Sequence, residues 1–173
     1  MKFLKYFFIF ILFLTVGTYV ATLFSPQHHS STHEENIKNE VSTVWNFLID
    51  TANVTKWMQN SVKIHPSTEK SEKGKAYEVV FEDIEGNVQK VVQVWDIDSN
   101  SHGIRITSII PNKVSMIQTL SLEKKDATYT TVKSNIEIEV HGWLNRLLLT
   151  GVSASLLERE KQEIQSIISH TGG

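Results

Sequence analysis

The chain has 173 residues, a formal net charge of -2 at pH 7 and no cysteine. Without cysteine it can form neither a disulfide nor a thiolate metal site, and it cannot use a cysteine nucleophile. The nearly balanced charge lacks the basic excess of nucleic-acid-binding proteins, so no nucleic-acid partner is expected. The length suits one domain with an appendage, since domains commonly have ~100–150 residues.

The first 25 residues predict a membrane anchor. After a basic start that ends at Lys5, the run from Tyr6 to Phe24 contains no charged residue. A helix of this length nearly crosses a hydrocarbon core of ~30 Å. Because the lysines precede the run, the positive-inside rule predicts a single-pass membrane protein with a cytoplasmic N-terminus and an extracytoplasmic domain. A signal peptide cleaved near Gly17 or Ala21 is the alternative.

A polar tether is expected at residues 26–32, and the folded domain at residues 33–173. A helix is predicted from Asn39 to Asp50, because its apolar residues recur at the spacing of one helix face. These residues are Val41, Val44, Trp45 and Leu48. A second short helix, capped by Asp50, is predicted from Ala52 to about Gln59.

After Asn60 the pattern changes to alternating apolar and polar residues, which is typical of strands. The predicted strands are Val62–Thr68, Ala76–Ile84, Val88–Ile97, Ile104–Ile110, Val114–Glu123 and Thr128–Val140. Short turn segments separate them, among them the hairpin signal Glu85-Gly86-Asn87. The sequence therefore predicts an antiparallel meander, although the inward face of the strand at Val88–Ile97 stays ambiguous.

A long C-terminal helix is predicted from Trp143 to about His170, and it would cover the apolar face of the sheet. Its charged residues Glu158, Arg159, Glu160, Lys161 and Glu163 are expected mostly in solvent. The stretch Gly151–Ser155 inside this helix is unusually small, and a glycine there costs ~1 kcal/mol relative to alanine. Either the small residues leave room for a ligand, or they permit close packing or a kink.

Two segments carry a resemblance to a known family. The first is Ile37-Lys38-Asn39-Glu40-Val41-Ser42-Thr43-Val44-Trp45 with Leu48-Ile49-Asp50 and Trp57, and the second is Leu144-Asn145-Arg146-Leu147-Leu148. With the order of elements, they resemble the START-like (SRPBCC) superfamily of polyketide cyclases, lipid-transfer domains and birch-pollen-allergen-like proteins. The resemblance spans about residue 33 to the end and departs from the family pattern at Asn39-Glu40. It implies an α+β helix-grip fold, an antiparallel sheet wrapped over the long C-terminal helix, here preceded by the predicted transmembrane helix.

The resemblance also implies a cavity between the sheet and the C-terminal helix, which would bind a hydrophobic small molecule or lipid. The candidate lining residues are Trp57, Tyr77, Phe81, Met116, Leu120, Leu148, Gly151, Val152 and Ser155. Packing of the second helix on the sheet is the favoured role of Trp57. The alternating strand residues of this set suit the core and a cavity wall equally well.

No catalytic constellation emerges, because no paired carboxylates, phosphate loop or nucleophile elbow is present. His28 and His29 fall in the expected tether and His33 directly follows it, where no fixed geometry is expected, so no metal site and no cofactor are predicted. The leading hypothesis is a membrane-anchored, non-catalytic binder of an apolar ligand. One alternative is a cyclase or dehydratase type of enzyme, for which Arg105, Glu82 or Asp96 would have to point inward. The other is a protein-interaction module at the membrane.

Overall fold

The computed structural model of the chain describes residues 2–25, 27–69, 71–72, 74–83, 85–110, 114–142, 145–146 and 152–172. The helices are α1 (Lys2–Phe24), α2 (Val41–Ile49), α3 (Val54–Trp57), which follows a 3-10 turn at Thr51–Asn53, and α4 (Val152–Thr171). The strands are β1 (His28–Ile37), β2 (Ser61–Pro66), β3 (Lys75–Glu82), β4 (Val88–Asp98), β5 (Gly103–Ile110), β6 (Val114–Lys124) and β7 (Thr130–Val140).

The described strands form one antiparallel sheet of seven strands in the order β1-β7-β6-β5-β4-β3-β2. The meander from β2 to β7 follows the chain as predicted, and each predicted strand lies within a few residues of an observed one. β1 joins the sheet at its far edge, beside β7, and pairs with it from His28 to Ile37. Residues 28–32, expected as part of a tether, therefore belong to the sheet.

The structure resolves the ambiguous face of β4. Gln93 and Trp95 are buried on the inner face of the sheet, and Val91 lies on the same side. Asp96 and Arg105 pair across β4 and β5 and are exposed. The shift by one residue that would have turned these two charged groups inward does not occur.

Two apolar clusters fill the space inside the sheet. The larger one joins α2, α3 and the end of α4 to the sheet, and in it Trp57 is fully buried with its ring centre 6.1 Å from that of Trp95. This is the packing role favoured for Trp57. The smaller cluster consists of Ile136, Ile138, Val140 and Leu156 at the start of α4.

The C-terminal helix covers the sheet unevenly. α4 packs chiefly against β1, with further contacts to β7, α2 and α3. The inner face from β3 to the start of β6 is therefore less closely covered, and a space opens between it and α4.

The N-terminal helix corrects two predictions. No helix in the described part of the chain combines the length and the apolar character that a membrane span requires. The predicted N-terminal transmembrane helix was therefore wrong, and with it the single-pass membrane location. A membrane partner held by that helix has no support in the structure.

Candidate ligand-binding cavity

A cavity of about 200 Å³ lies between α4 and the inner face of β3 to β6. It is lined by Phe81, Gln89, Val91, Gln93, Ser108, Ile110, Val114, Met116 and Arg159. A larger open cleft of about 590 Å³ shares Phe81, Gln89 and Arg159 with it. The cavity therefore lies next to this cleft, whose other walls carry polar residues such as Glu82 and Gln162.

The predicted lining residues fall into several places. Phe81 and Met116 line the cavity, while Phe81 and Ser155 line the cleft. Trp57 and Leu120 are buried in the larger apolar cluster, and Tyr77 lines a separate depression beside Ile49 and Ser99. Leu148, Gly151 and the side chain of Val152 lie outside the described residues. That these residues contact a ligand stays a prediction.

The hairpin between β3 and β4 shapes the mouth of the cleft. Gly86 has φ +81°, a backbone conformation that glycine adopts without strain. The carboxylate of Asp83 accepts hydrogen bonds from the backbone of Glu85 and from both the backbone and the side chain of Asn87. The hydrogen bond from the Asn87 side chain contributes most to lowering the pKa of Asp83. The ionised carboxylate thus holds the turn in shape beside the cleft, which Asp83 and Asn87 also line.

Two buried polar side chains on neighbouring strands form one wall of the cavity. Gln93 of β4 lies opposite Ser108 of β5, and both are almost completely buried. The indole Nε1 of Trp95 donates a hydrogen bond of 3.0 Å to Gln93 Oε1. Among the residues that the structure describes, the Gln93 Nε2 and the Ser108 Oγ have no hydrogen-bond partner.

Arg159 reaches the same cavity from α4. Its Nε donates a hydrogen bond of 2.9 Å to Oε1 of Glu163, which is fully buried. Glu163 also accepts from the Gln118 amide, at 2.6 Å, and from the backbone N of Gln59, at 3.3 Å. Arg159 Nη1 lies 3.9 Å from Met116 Sδ, and the buried Nη2 has no partner. The guanidinium is therefore held in place with one nitrogen still able to donate.

Glu160 shares the buried face of α4 with Glu163 but lies on its β1 and β7 side, near Ser31 and Ser134. It is fully buried, and neither carboxyl oxygen has a hydrogen bond of ordinary geometry. Burial raises the pKa of Glu160, and the nearby hydroxyls of Ser31 and Ser134 oppose the shift. Glu160 does not line the cavity or the cleft. In the described part of the chain, no three His, Asp or Glu side chains converge as metal ligands.

The sequence-based expectation of solvated charges on α4 was wrong for Glu160 and Glu163. The sequence contains a pattern that indicates the burial of Glu160. It lies four residues after Leu156 and four before Ile164, so it shares a helix face with these two buried residues. A similar signal exists in the strands. Gln93 interrupts the inward row of Val91 and Trp95, just as other buried polar residues interrupt theirs. These other residues are Ser108, Gln118 and Ser134.

Comparisons with known proteins yield solved structures but no sequence match: no protein-family model and no curated protein matches the chain. The Zhui aromatase/cyclase from Streptomyces sp. R1128 has a TM-score of 0.67 at 12% identity, covering 83% of this chain and 93% of that one. For Ara h 8.0201 the TM-score is 0.65 at 15% identity, with 83% and 97% covered. A norcoclaurine synthase from Thalictrum flavum gives 0.59 at 10% identity, with 86% and 91% covered. At such identities the likeness concerns the fold alone.

Proposed function

Because the chain has the helix-grip fold of the START-like superfamily, we propose that it binds a hydrophobic small molecule between the sheet and α4. The observation that supports this most directly is the composition of the cavity wall. Of the nine lining residues that the structure describes, five are apolar: Phe81, Val91, Ile110, Val114 and Met116. A concave, mostly apolar site with a few placed polar groups is the usual form of a small-molecule site.

The dimensions indicate how such a molecule would lie. The cavity alone, at about 200 Å³, is smaller than the ~300–1,000 Å³ that is usual for ligand sites. The ligand therefore extends into the adjoining cleft, which is wider and more polar. An apolar part would fill the cavity, and the rest of the molecule would lie near Asp83, Asn87 and Gln162 at the mouth.

The solved structures of the same fold support a small and partly aromatic ligand. The norcoclaurine synthase structure contains dopamine and hydroxybenzaldehyde, and another neighbour is an aromatase/cyclase. Since one fold hosts many activities, this likeness supports the class of ligand and does not assign a reaction.

Catalysis of the cyclase type is a second candidate, favoured by the inward, buried carboxyl of Glu160. A general acid or base must come within hydrogen-bond reach of the reacting group, and Glu160 lies outside the cavity lining. Binding without chemistry is therefore better supported. Recovery of a bound ligand unchanged, as judged by mass spectrometry, would agree with binding alone, whereas conversion that is lost in Glu160→Gln would favour the enzyme.

The binding proposal can be tested by filling the cavity. We expect 2-ethylnaphthalene to bind the full chain, and Val91→Trp to weaken that binding at least tenfold because the indole occupies the cavity. Val92→Trp is the matched control, since Val92 is the next residue of β4 on the outer face. Isothermal titration calorimetry measures the affinity of both variants, and circular dichroism checks that they fold. If tryptophan prevents folding, Val91→Phe and Val92→Phe replace the two variants. Equal affinity in the two variants would refute the proposal.

A further inference from the structure

We infer that the ligand carries a carbonyl or carboxylate oxygen, which accepts hydrogen bonds from Gln93, Ser108 and Arg159 inside the cavity. This inference rests on the proposed function and narrows the class of ligand. Its basis is that all three side chains line the same cavity, and each has a buried polar atom without a partner.

The orientation of the Gln93 amide is determined by its neighbour. The Trp95 indole can only donate, so the atom of Gln93 that it contacts must be the amide oxygen. The remaining end of the amide is then the NH₂ group, and its Nε2 is the atom without a partner. Gln93 therefore offers a hydrogen-bond donor at the cavity wall.

Arg159 adds a second donor of the same kind, since a guanidinium has no acceptor. Its Nε donates a hydrogen bond to Glu163, whereas the buried Nη2 has no hydrogen-bond partner among the described residues. Ser108, directly opposite Gln93, has a hydroxyl that can also donate. Two obligate donors and one hydroxyl thus belong to side chains that line this cavity, and none of the lining residues that the structure describes is acidic.

A buried donor without a partner is unfavourable, so the group that best completes this site is an acceptor. A carbonyl oxygen accepts two hydrogen bonds, and a carboxylate accepts more. An ammonium group would instead leave these donors without an acceptor and would be repelled by Arg159. The wall therefore selects ligands with an oxygen acceptor over hydrocarbons, and hydrocarbons over amines.

Four probes with the same ring system test this order: 2-acetonaphthone, 2-naphthoate, 2-ethylnaphthalene and 2-(aminomethyl)naphthalene. Calorimetry on the full chain should show the ketone, the carboxylate or both binding about tenfold more tightly than ethylnaphthalene, with the amine weakest. A preference for naphthoate over the ketone would show that the charge of Arg159 contributes. Equal affinities for ketone, carboxylate and hydrocarbon, or tightest binding of the amine, would overturn the inference but leave the proposed function intact.

A pair of serine variants locates the effect. In Ser108→Ala, the ratio of the ethylnaphthalene dissociation constant to that of the oxygen-bearing probes should fall by about threefold, because one hydrogen-bond donor is removed from the cavity wall. Ser134→Ala is the matched control, since Ser134 is also buried, has no hydrogen bond of ordinary geometry and does not line the cavity. An unchanged advantage in Ser108→Ala, or equal losses in both variants, would contradict the inference. Failure of all four probes to bind would instead count against the proposed function itself.

Discussion

Glu160 and Glu163 lie less than one turn apart on α4, and both have 0% of their surface exposed, yet their surroundings differ. Glu163 accepts hydrogen bonds from Arg159, Gln118 and the backbone of Gln59. Glu160 has no hydrogen bond of ordinary geometry, and burial raises its pKa. The buried face of the helix thus carries a paired carboxylate near the cavity and, on its β1 and β7 side, a carboxyl without a hydrogen bond of ordinary geometry.

The difference shows that burial alone does not decide what a charged residue does. Removing a carboxylate from water is unfavourable unless other groups replace the lost hydrogen bonds. Around Glu163 the protein supplies these groups, and the ion pair in turn orients Arg159 against the cavity. Around Glu160 the effect of burial outweighs that of the nearby Ser31 and Ser134 hydroxyls, so the protonated form is favoured there over a wider pH range.

The largest effect is expected for Glu163→Gln. The substitution removes the anion that Arg159 contacts, and breaking a buried pair on one side costs roughly 3 kcal/mol of unfolding free energy. Urea unfolding at pH 7 measures the change. Glu158→Gln, an exposed position on the same helix, is the control and should alter stability by less than about 0.5 kcal/mol. If Glu163→Gln loses no more unfolding free energy than the control, the contrast between the paired Glu163 and Glu160 is contradicted.

A smaller change of opposite sign is expected for Glu160→Gln. The amide has nearly the shape of the carboxyl but cannot ionise, so the cost of burying an unpaired charge disappears. The free energy of unfolding at pH 7 should rise by about 1 kcal/mol, the scale of one unsatisfied buried group. The same urea titration compares the two variants directly, and a marked loss of stability would show that Glu160 has a partner after all.

The pH dependence should separate the wild type from Glu160→Gln. A carboxyl whose pKa in the folded state lies above its ordinary value of 4.5 stays protonated up to a higher pH in the folded than in the unfolded chain. Its favourable effect on folding is present below the unfolded pKa and is lost as pH rises through the folded one. The wild type should therefore lose stability relative to the variant from about pH 4.5 upward. A constant difference between the two urea midpoints across this range would rule out the raised pKa.

Much of the fold follows from short-range patterns. The stripe of Val44, Trp45 and Leu48 predicts α2, alternation predicts β2 to β7, and the turn at Gly86 marks a hairpin. The resemblance added the helix-grip architecture, which the solved structures confirm. β1 was harder to recognise, because residues 28–32 are polar and acquire a strand conformation only by pairing with β7.

The candidate site was predicted less completely. Phe81 and Met116 were expected on the cavity wall, and the structure places them there. Gln93, Ser108 and Arg159 were not expected, because a polar residue in an amphipathic pattern is by default assigned to solvent. Their inward position depends on how α4 lies across the sheet, which no local pattern encodes.

The sequence by itself determined the kind and order of the elements of the domain, since hydrophobic periodicity and turn residues act over a few positions. Only the tertiary structure decided which polar groups are buried together, because that depends on contacts between residues far apart in the chain. Gln118 and Glu163 are separated by 45 positions and join in one hydrogen bond. Glu160, three residues from Glu163, has none of ordinary geometry. The opposite surroundings of these two carboxylates therefore arise from packing rather than from residue type.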